Sequence, residues 1–154
     1  MAELPSHDRE GVAMLALEVV TPERLLVREE VTAVQVPAAN GYLGVLPGHA
    51  PLVAELGTGY LNYEAGGKRW YLAVHGGYLE ILANRVRVLA TAAERAEEID
   101  VERAKAALKR AQEQMFNASL GVDPAFALEA VARAQARLDA AAQKQTAPAG
   151  TGAA

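Results

Sequence analysis

The chain has 154 residues, 51% of them hydrophobic and 22% charged, with a formal net charge of −4. That length suits one ordinary domain, or a small domain with an appendage, and the apolar share is enough for a buried core. The mild acidity argues against nucleic-acid binding, which needs a basic surface to neutralise phosphates, and the absence of cysteine excludes a disulfide scaffold and a thiolate metal site.

Residues Met1 to Gly11 contain Glu3, Asp8 and Glu10. They lack the charged-then-apolar layout of a secretory signal and are too acidic for a transit peptide. Apolar runs stop short of the roughly 20 residues that a spanning helix needs. The expectation is a soluble, intracellular protein that reaches a membrane only through partners.

From about Met14 to Thr91 the apolar period is two. Leu15, Leu17 and Val19 alternate with Ala16, Glu18 and Val20; Trp70, Leu72 and Val74 alternate with Tyr71, Ala73 and His75; Val86, Val88 and Ala90 alternate with Arg85, Arg87 and Leu89. This is the mark of strands with one buried face. Turn signals at Asn40-Gly41, Pro47-Gly48, Gly57-Thr58-Gly59, Gly66-Gly67, Gly76-Gly77 and Asn84-Arg85 cut the region into many short strands, as in an all-β sandwich or barrel. Gly66-Gly67 suits a hairpin turn, since glycine accepts positive φ.

After Glu98 the period changes. Val101, Ala104, Leu108, Ala111 and Met115 recur at spacings of three and four, a heptad-like seam on a helix that Asp100 can cap. Asn117 to Val122 breaks it, with Gly121 suited to a left-handed end. Asp123-Pro124 then opens a second helix whose seam is Ala127, Val131, Ala134, Leu138 and Ala141. Two matched seams across a short connection predict an antiparallel helical hairpin. Its alanine-rich contact buries little area, so it is expected to be weakly held and able to move. The Pro/Gly/Ala/Thr-rich end reads as a disordered tail over 144–154.

Catalytic patterns are missing. His7, His49 and His75 are far apart in sequence and have no carboxylates at metal-ligand spacing, so no metal site is expected and the three read as loop or surface residues. Gly66-Gly67-Lys68 lacks the earlier glycine of a phosphate loop and has Arg69 where Ser or Thr should hold magnesium. Glu29-Glu30 and Glu97-Glu98 are sequence neighbours, a poor arrangement for acid/base work. One constellation stands apart. Arg103 and Arg110 on the first helix, and Arg133 and Arg137 on the second, fall on one flank of the folded hairpin. Forked, permanently charged donors there suit a polyphosphate; the same spacing also fits a solvated basic face with pairs such as Glu129 to Arg133.

Several segments resemble the epsilon-subunit family of F-type ATP synthases, in that family's order from about Met14 to Gln143. They are Val20-Thr21-Pro22-Glu23-Arg24-Leu25-Leu26, Gly44-Val45-Leu46-Pro47-Gly48-His49-Ala50-Pro51-Leu52, Val74-His75-Gly76-Gly77-Tyr78-Leu79-Glu80 and Ala92 through Asp100. The resemblance implies an α+β chain: an N-terminal antiparallel β-sandwich of about ten strands over 12–95, then a C-terminal antiparallel two-helix hairpin over 99–143. It implies a non-catalytic subunit of the central stalk. The sandwich would dock on the gamma subunit and the ring of c subunits, and so couple proton-driven rotation to ATP synthesis. The hairpin would extend into the alpha/beta catalytic head to inhibit hydrolysis. The setting implied is the cytoplasmic side of a bacterial inner membrane, held peripherally through the complex; the leader-free start fits a bacterium.

The family's ATP motif, Ile/Leu-Asp-x-x-Arg-Ala, is matched by Ile99-Asp100-Val101-Glu102-Arg103-Ala104. The resemblance implies an ATP site made of Glu94, Ile99, Asp100, Arg103, Ala104, Arg110, Arg133 and Arg137. ATP would be sensed and not hydrolysed, and no cofactor is required. For contact with the ring or gamma it points to Asn40, Gly41, Tyr42 and His49, with Tyr42 departing from the acidic or polar residue expected there. Two other classes stay open on the residues alone: a free-standing β-sandwich that binds a small ligand and dimerises through its helices, and an enzyme with an unrecognised site.

Overall fold

The computed structural model of the protein describes residues 11–146. Eight strands come first: β1 (Leu15–Val20), β2 (Leu25–Val31), β3 (Ala33–Ala38), β4 (Gly41–Val45), β5 (Leu52–Glu55), β6 (Thr58–Ala65), β7 (Lys68–Leu82) and β8 (Arg85–Arg95). A 3-10 turn over Ala96–Glu98 leads to α1 (Val101–Phe116) and, past a second short turn, to α2 (Pro124–Thr146). The sheet order is β2-β1-β8-β7-β6-β3-β4, with β5 paired to β7 off that path.

The eight strands reconcile with the ten expected because two of them bend. Gly76 and Gly77 sit at φ +61° and +105° in the middle of β7, which continues through them. Before the bend β7 pairs with β6; after it, residues 78–81 pair with β5. β8 turns with it: its first half pairs with β1 and its second half with the early part of β7. One layer is therefore β2, β1, early β8, late β7 and β5. The other is late β8, early β7, β6, β3 and β4. One pairing departs from the antiparallel expectation: β1 runs parallel to β8. These strands are far apart in sequence, so no tight turn dictates their direction.

The alternating residues read from the sequence fill the space between the layers. Leu15, Leu17 and Val19 of β1, Leu72 and Val74 of β7, and Val86, Val88 and Ala90 of β8 all belong to one buried cluster, which Leu61 and Tyr63 of β6 complete. Burying such side chains contributes about 1.5–3 kcal/mol each, which makes the sandwich the stable half. Turns behave as their residues require. Gly66 and Gly67 take φ +60° and +72° between β6 and β7. The β7–β8 turn is shifted one residue from the expected Asn84-Arg85, with Ala83 and Asn84 at positive φ.

The helices form as their caps predict. The Asp100 side chain accepts from the Arg103 backbone N–H at 3.1 Å, and Asp123 accepts from that of Ala125 at 2.9 Å. Gly121 is left-handed at φ +70°. In the seam Ala104 and Ala111 of α1 are buried, as are Ala127, Ala134 and Ala141 of α2, while Val101, Leu108, Met115, Val131 and Leu138 are half-buried. α2 continues through Thr146 and so takes in residues 144–146 of the stretch expected as a tail; Ala140 to Gln145 are all good helix formers. The rest of that tail lies outside the described residues, as does His7.

Candidate functional site

The hairpin is folded back on the sandwich, and α2 makes the contact. α1 rests on α2, while α2 also packs on β6, β7 and the turn at Ala96–Glu98. α2 therefore has two apolar stripes. Ala127, Ala134 and Ala141 repeat every seven residues and share the seam with α1. A second stripe, Ala136 and Ala140, joins Tyr71 and Ala73 of β7 and Ala96 in a small cluster, with Tyr60 and Ile99 against it. Four of its five buried members are alanines, so the docked contact is close but small.

Beside this contact lies a cleft of about 340 Å³. Its floor is Ala73, Val74 and His75 of β7 with Ala92, Ala93 and Glu94 of β8. Arg133, Ala136 and Arg137 of α2 form one wall, and Arg24 and Glu98 the other. Helical spacing explains the α2 wall, since residues three and four apart share a face. Sheet register explains the floor: Ala73 pairs with Glu94 and His75 with Ala92. Arg24 is placed by the turn joining β1 to β2, where its N–H donates to Thr21 Oγ1 at 3.2 Å.

The cleft is charged and internally paired. Arg137 Nε donates to Glu94 Oε2 at 3.0 Å. Arg24 grips both oxygens of Glu98, at 3.1 and 2.5 Å. This hydrogen bonding, with the guanidinium charge, holds the Glu98 carboxyl below the ordinary glutamate range and raises Arg24. Arg133 reaches Glu129 at 3.7 Å, one turn back on its own helix. His75 Nδ1 is 2.6 Å from Thr58 Oγ1. Burial, and then the charge of Arg133, push the His75 imidazole below its usual range, against a smaller opposing effect of Glu129. Each of the three arginines thus has a carboxylate partner, the pair of Arg133 being the longest.

The structure divides the residues expected at a nucleotide site. Glu94, Arg133 and Arg137 come together in the cleft. Arg103 and Arg110 are exposed on α1, outside its lining. The reason is the second face of α2: the helix that meets the sheet keeps its own arginines there, while α1 sits on its other side. The remaining motif residues have folding roles that need no ligand. Ile99 packs on the small docking cluster, Asp100 caps α1 and Ala104 is buried in the seam. Arg24, His75 and Glu98 were not among the expected site residues. His75 is no loop residue; it lies within β7 and is half-buried. No group of three or more His, Cys, Asp or Glu among the described residues is arranged to hold a metal ion.

The residues expected at the far contact lie elsewhere. Asn40 and Gly41 form the exposed β3–β4 turn, with Gly41 at φ +124°. His49 is half-buried in a turn, with Nδ1 2.7 Å from the Ala50 carbonyl. Tyr42 turns from that loop onto the sheet. Its ring centroid is 5.4 Å from that of Tyr60, and its hydroxyl accepts from the Tyr60 N–H at 3.3 Å. Tyr60 in turn meets Tyr71 edge-on at 6.1 Å. Tyr42 thus ends a row of tyrosines that leads to the α2 docking cluster.

Comparison with known proteins matches both halves. The family described as "ATP synthase, Delta/Epsilon chain, beta-sandwich domain" matches residues 14–96, and "ATP synthase, Delta/Epsilon chain, long alpha-helix domain" matches 97–142. An ATP synthase epsilon chain of Solibacter usitatus is 65% identical over 84% of this chain and 97% of its own. One from Koribacter versatilis is 50% identical over 64% of this chain and 69% of its own. A chain in the Euglena gracilis mitochondrial ATP synthase (OSCP/F1/c-ring, rotational state 1) superposes with a TM-score of 0.68 over 94% of this chain and 84% of that one. Its identity is 23%, so that likeness is one of fold.

Proposed function

The chain belongs to the delta/epsilon family of ATP synthase chains, on its bacterial epsilon branch, and from that premise we propose that it is a non-catalytic coupling and regulatory subunit of the central stalk. The sandwich is the docking half, for gamma and the c ring. The hairpin is the regulatory half: docked, it leaves hydrolysis free; released and extended into the alpha/beta head, it inhibits. ATP bound in the cleft favours the docked state, because a ligand shifts populations toward the form that binds it. Attachment to the membrane is peripheral, through the complex; among the described residues no helix is long and apolar enough to cross a bilayer.

One observation carries this reading. The hairpin is held to the sandwich by an alanine contact beside a cleft that gathers arginines from the helix and from the sheet side. A polyphosphate there would touch both halves at once. The test is calorimetric titration of the full chain with ATP, beside the Arg133→Ala/Arg137→Ala double variant. Saturable binding that the variant loses supports a sensor on the α2 wall. Binding that survives in the variant, or no binding up to millimolar ATP, refutes the sensor. Co-purification of the chain with gamma tests the stalk role separately.

A further inference from the structure

His75 is a cleft residue that neither the ATP motif nor the arginine set explains, and, unlike Arg24 and Glu98, it is engaged by a hydroxyl and not by an opposite charge across the cleft wall. It sits on the floor, at the β7 position paired with Thr58 on one side and Ala92 on the other. Its Nδ1 is engaged with Thr58 Oγ1 at 2.6 Å, which leaves Nε2 as the nitrogen available to a ligand. Arg133 of α2 lines the same cleft, where its charge disfavours protonation of the ring. The charged and titratable groups around it come from every element that forms the cleft. They are Arg24 from the β1–β2 turn, Glu94 from β8, Glu98 from the 3-10 turn, and Glu129, Arg133 and Arg137 from α2.

We propose that His75 is a ligand-contacting residue of this cleft and makes its affinity for a polyphosphate anion proton-coupled. The inference rests on the reading of the cleft as a nucleotide site. In the empty cleft the ring stays neutral, because burial and the neighbouring arginine disfavour a further positive charge. A triphosphate reverses that balance. Its negative charge offsets Arg133 and Arg137 and favours the imidazolium, which can then donate from Nε2 to a phosphate oxygen. Binding takes up a proton, so the anion binds more tightly as pH falls through the histidine range. By the same linkage, acidification without the anion places a positive charge beside Arg133 and loosens the docked hairpin, whereas acidification with it tightens the closed form. The cleft thus reads nucleotide and proton together.

The experiment is ATP calorimetry on the full-length wild type and His75→Gln at pH 7.5 and 5.5. Taking the ratio of the two dissociation constants at each pH cancels the titration of the nucleotide itself. The wild-type advantage is expected to grow by about fivefold to tenfold at the lower pH, since one unit of pKa corresponds to a tenfold difference. A second reading needs no variant protein in the measurement. The His75 ring proton, assigned with the His75→Gln spectrum, is followed by NMR titration with and without ATP, and with sulfate as a simpler anion. ATP is expected to move the midpoint up by about one pH unit. Saturable binding with a ratio that does not change with pH, and a midpoint that ATP leaves in place, would overturn the role of His75 while leaving the nucleotide site intact. No saturable binding by the wild type at either pH would overturn both.

Discussion

Ala140 is fully buried where α2 meets the sandwich, and Ala142, two residues on, is exposed. Replacing each with leucine adds the same apolar bulk at opposite kinds of site. At Ala140 the new side chain must displace Tyr71, Ala73 or Ala96, which already fill that space. Overpacking of this kind costs about 1–3 kcal/mol. The contact it strains is modest: each of its four alanine methyls contributes about 0.8 kcal/mol on burial, the Tyr71 ring adds to that, and part of the total is offset by ordering. A penalty of about 1–3 kcal/mol corresponds to a shift of about 5- to 150-fold toward the undocked form. The chain has no cysteine, so spin labels at Glu55→Cys on the sandwich and Lys109→Cys on α1 report a single distance. Ala140→Leu is expected to broaden and lengthen that distance distribution while the sandwich keeps its urea midpoint. Ala142→Leu should change neither, as exposed substitutions stay within about 0.5 kcal/mol. If Ala140→Leu leaves the distribution unchanged, the alanine stripe is not what holds the hairpin down.

Three further outcomes follow from particular residues. A Cβ on Gly77 would stand 1.9 Å from the Leu89 carbonyl oxygen at φ +105°, whereas Gly66 at φ +60° has open space around it; Gly77→Ala is expected to cost more than about 4 kcal/mol and Gly66→Ala about 1–2 kcal/mol in urea unfolding. Asp100→Ala should remove about 1 kcal/mol from the start of α1, read as faster amide exchange in its first turn, with Ala104 less protected and the strands unaffected. The Glu98 carboxyl is held low by Arg24, so the stability this pair contributes is present above the ordinary glutamate pKa and lost as pH falls through the depressed one; Arg24→Ala should return the Glu98 carboxyl shift to a normal acid titration and flatten that part of the stability profile, and an unchanged midpoint would mean that the pair is not formed in solution.

Much of this was legible because local rules and tertiary packing agree. The period of two in Leu15 to Val19 and Val86 to Ala90 gave strands, and Asp100, Gly121 and Asp123-Pro124 gave the ends of the helices. What stayed hidden depends on contacts between distant segments. Gly76-Gly77 reads as a turn, yet β7 continues through it, because a bend shared with β8 preserves the ladder on both sides. Ala136 and Ala140 look like helix filler until β7 is set against them. Glu98 looks like one of two solvated neighbours, but the 3-10 turn puts it opposite Arg24, 74 residues away in the chain. Tyr42 reads as a loop residue, and its partner Tyr60 is 18 residues on. The arginine flank was half legible: seam position fixes which side of a helix a residue takes, but not which helix meets the sheet.

The two stripes of α2 bear on the proposal that the hairpin is both ordered and releasable. Its seam with α1 would travel with it, so undocking would expose only the second stripe and the sheet-side patch of Tyr71, Ala73 and Ala96 that it covers. A leucine stripe would bury more and fix the helix in place. Around the alanines stand Arg137 with Glu94 and Arg24 with Glu98, pairs that are a third to a half exposed. Such exposed pairs contribute little net stability, so the one that reaches α2, Arg137 with Glu94, orients the closed form without locking it. A docking equilibrium near balance would respond to modest differential affinity, because a ligand moves it only by the difference in its affinity for the two states. On the proposed reading, an anion bridging the α2 arginines and the sheet-side floor would supply such a difference, since that bridge would exist only while the hairpin is docked.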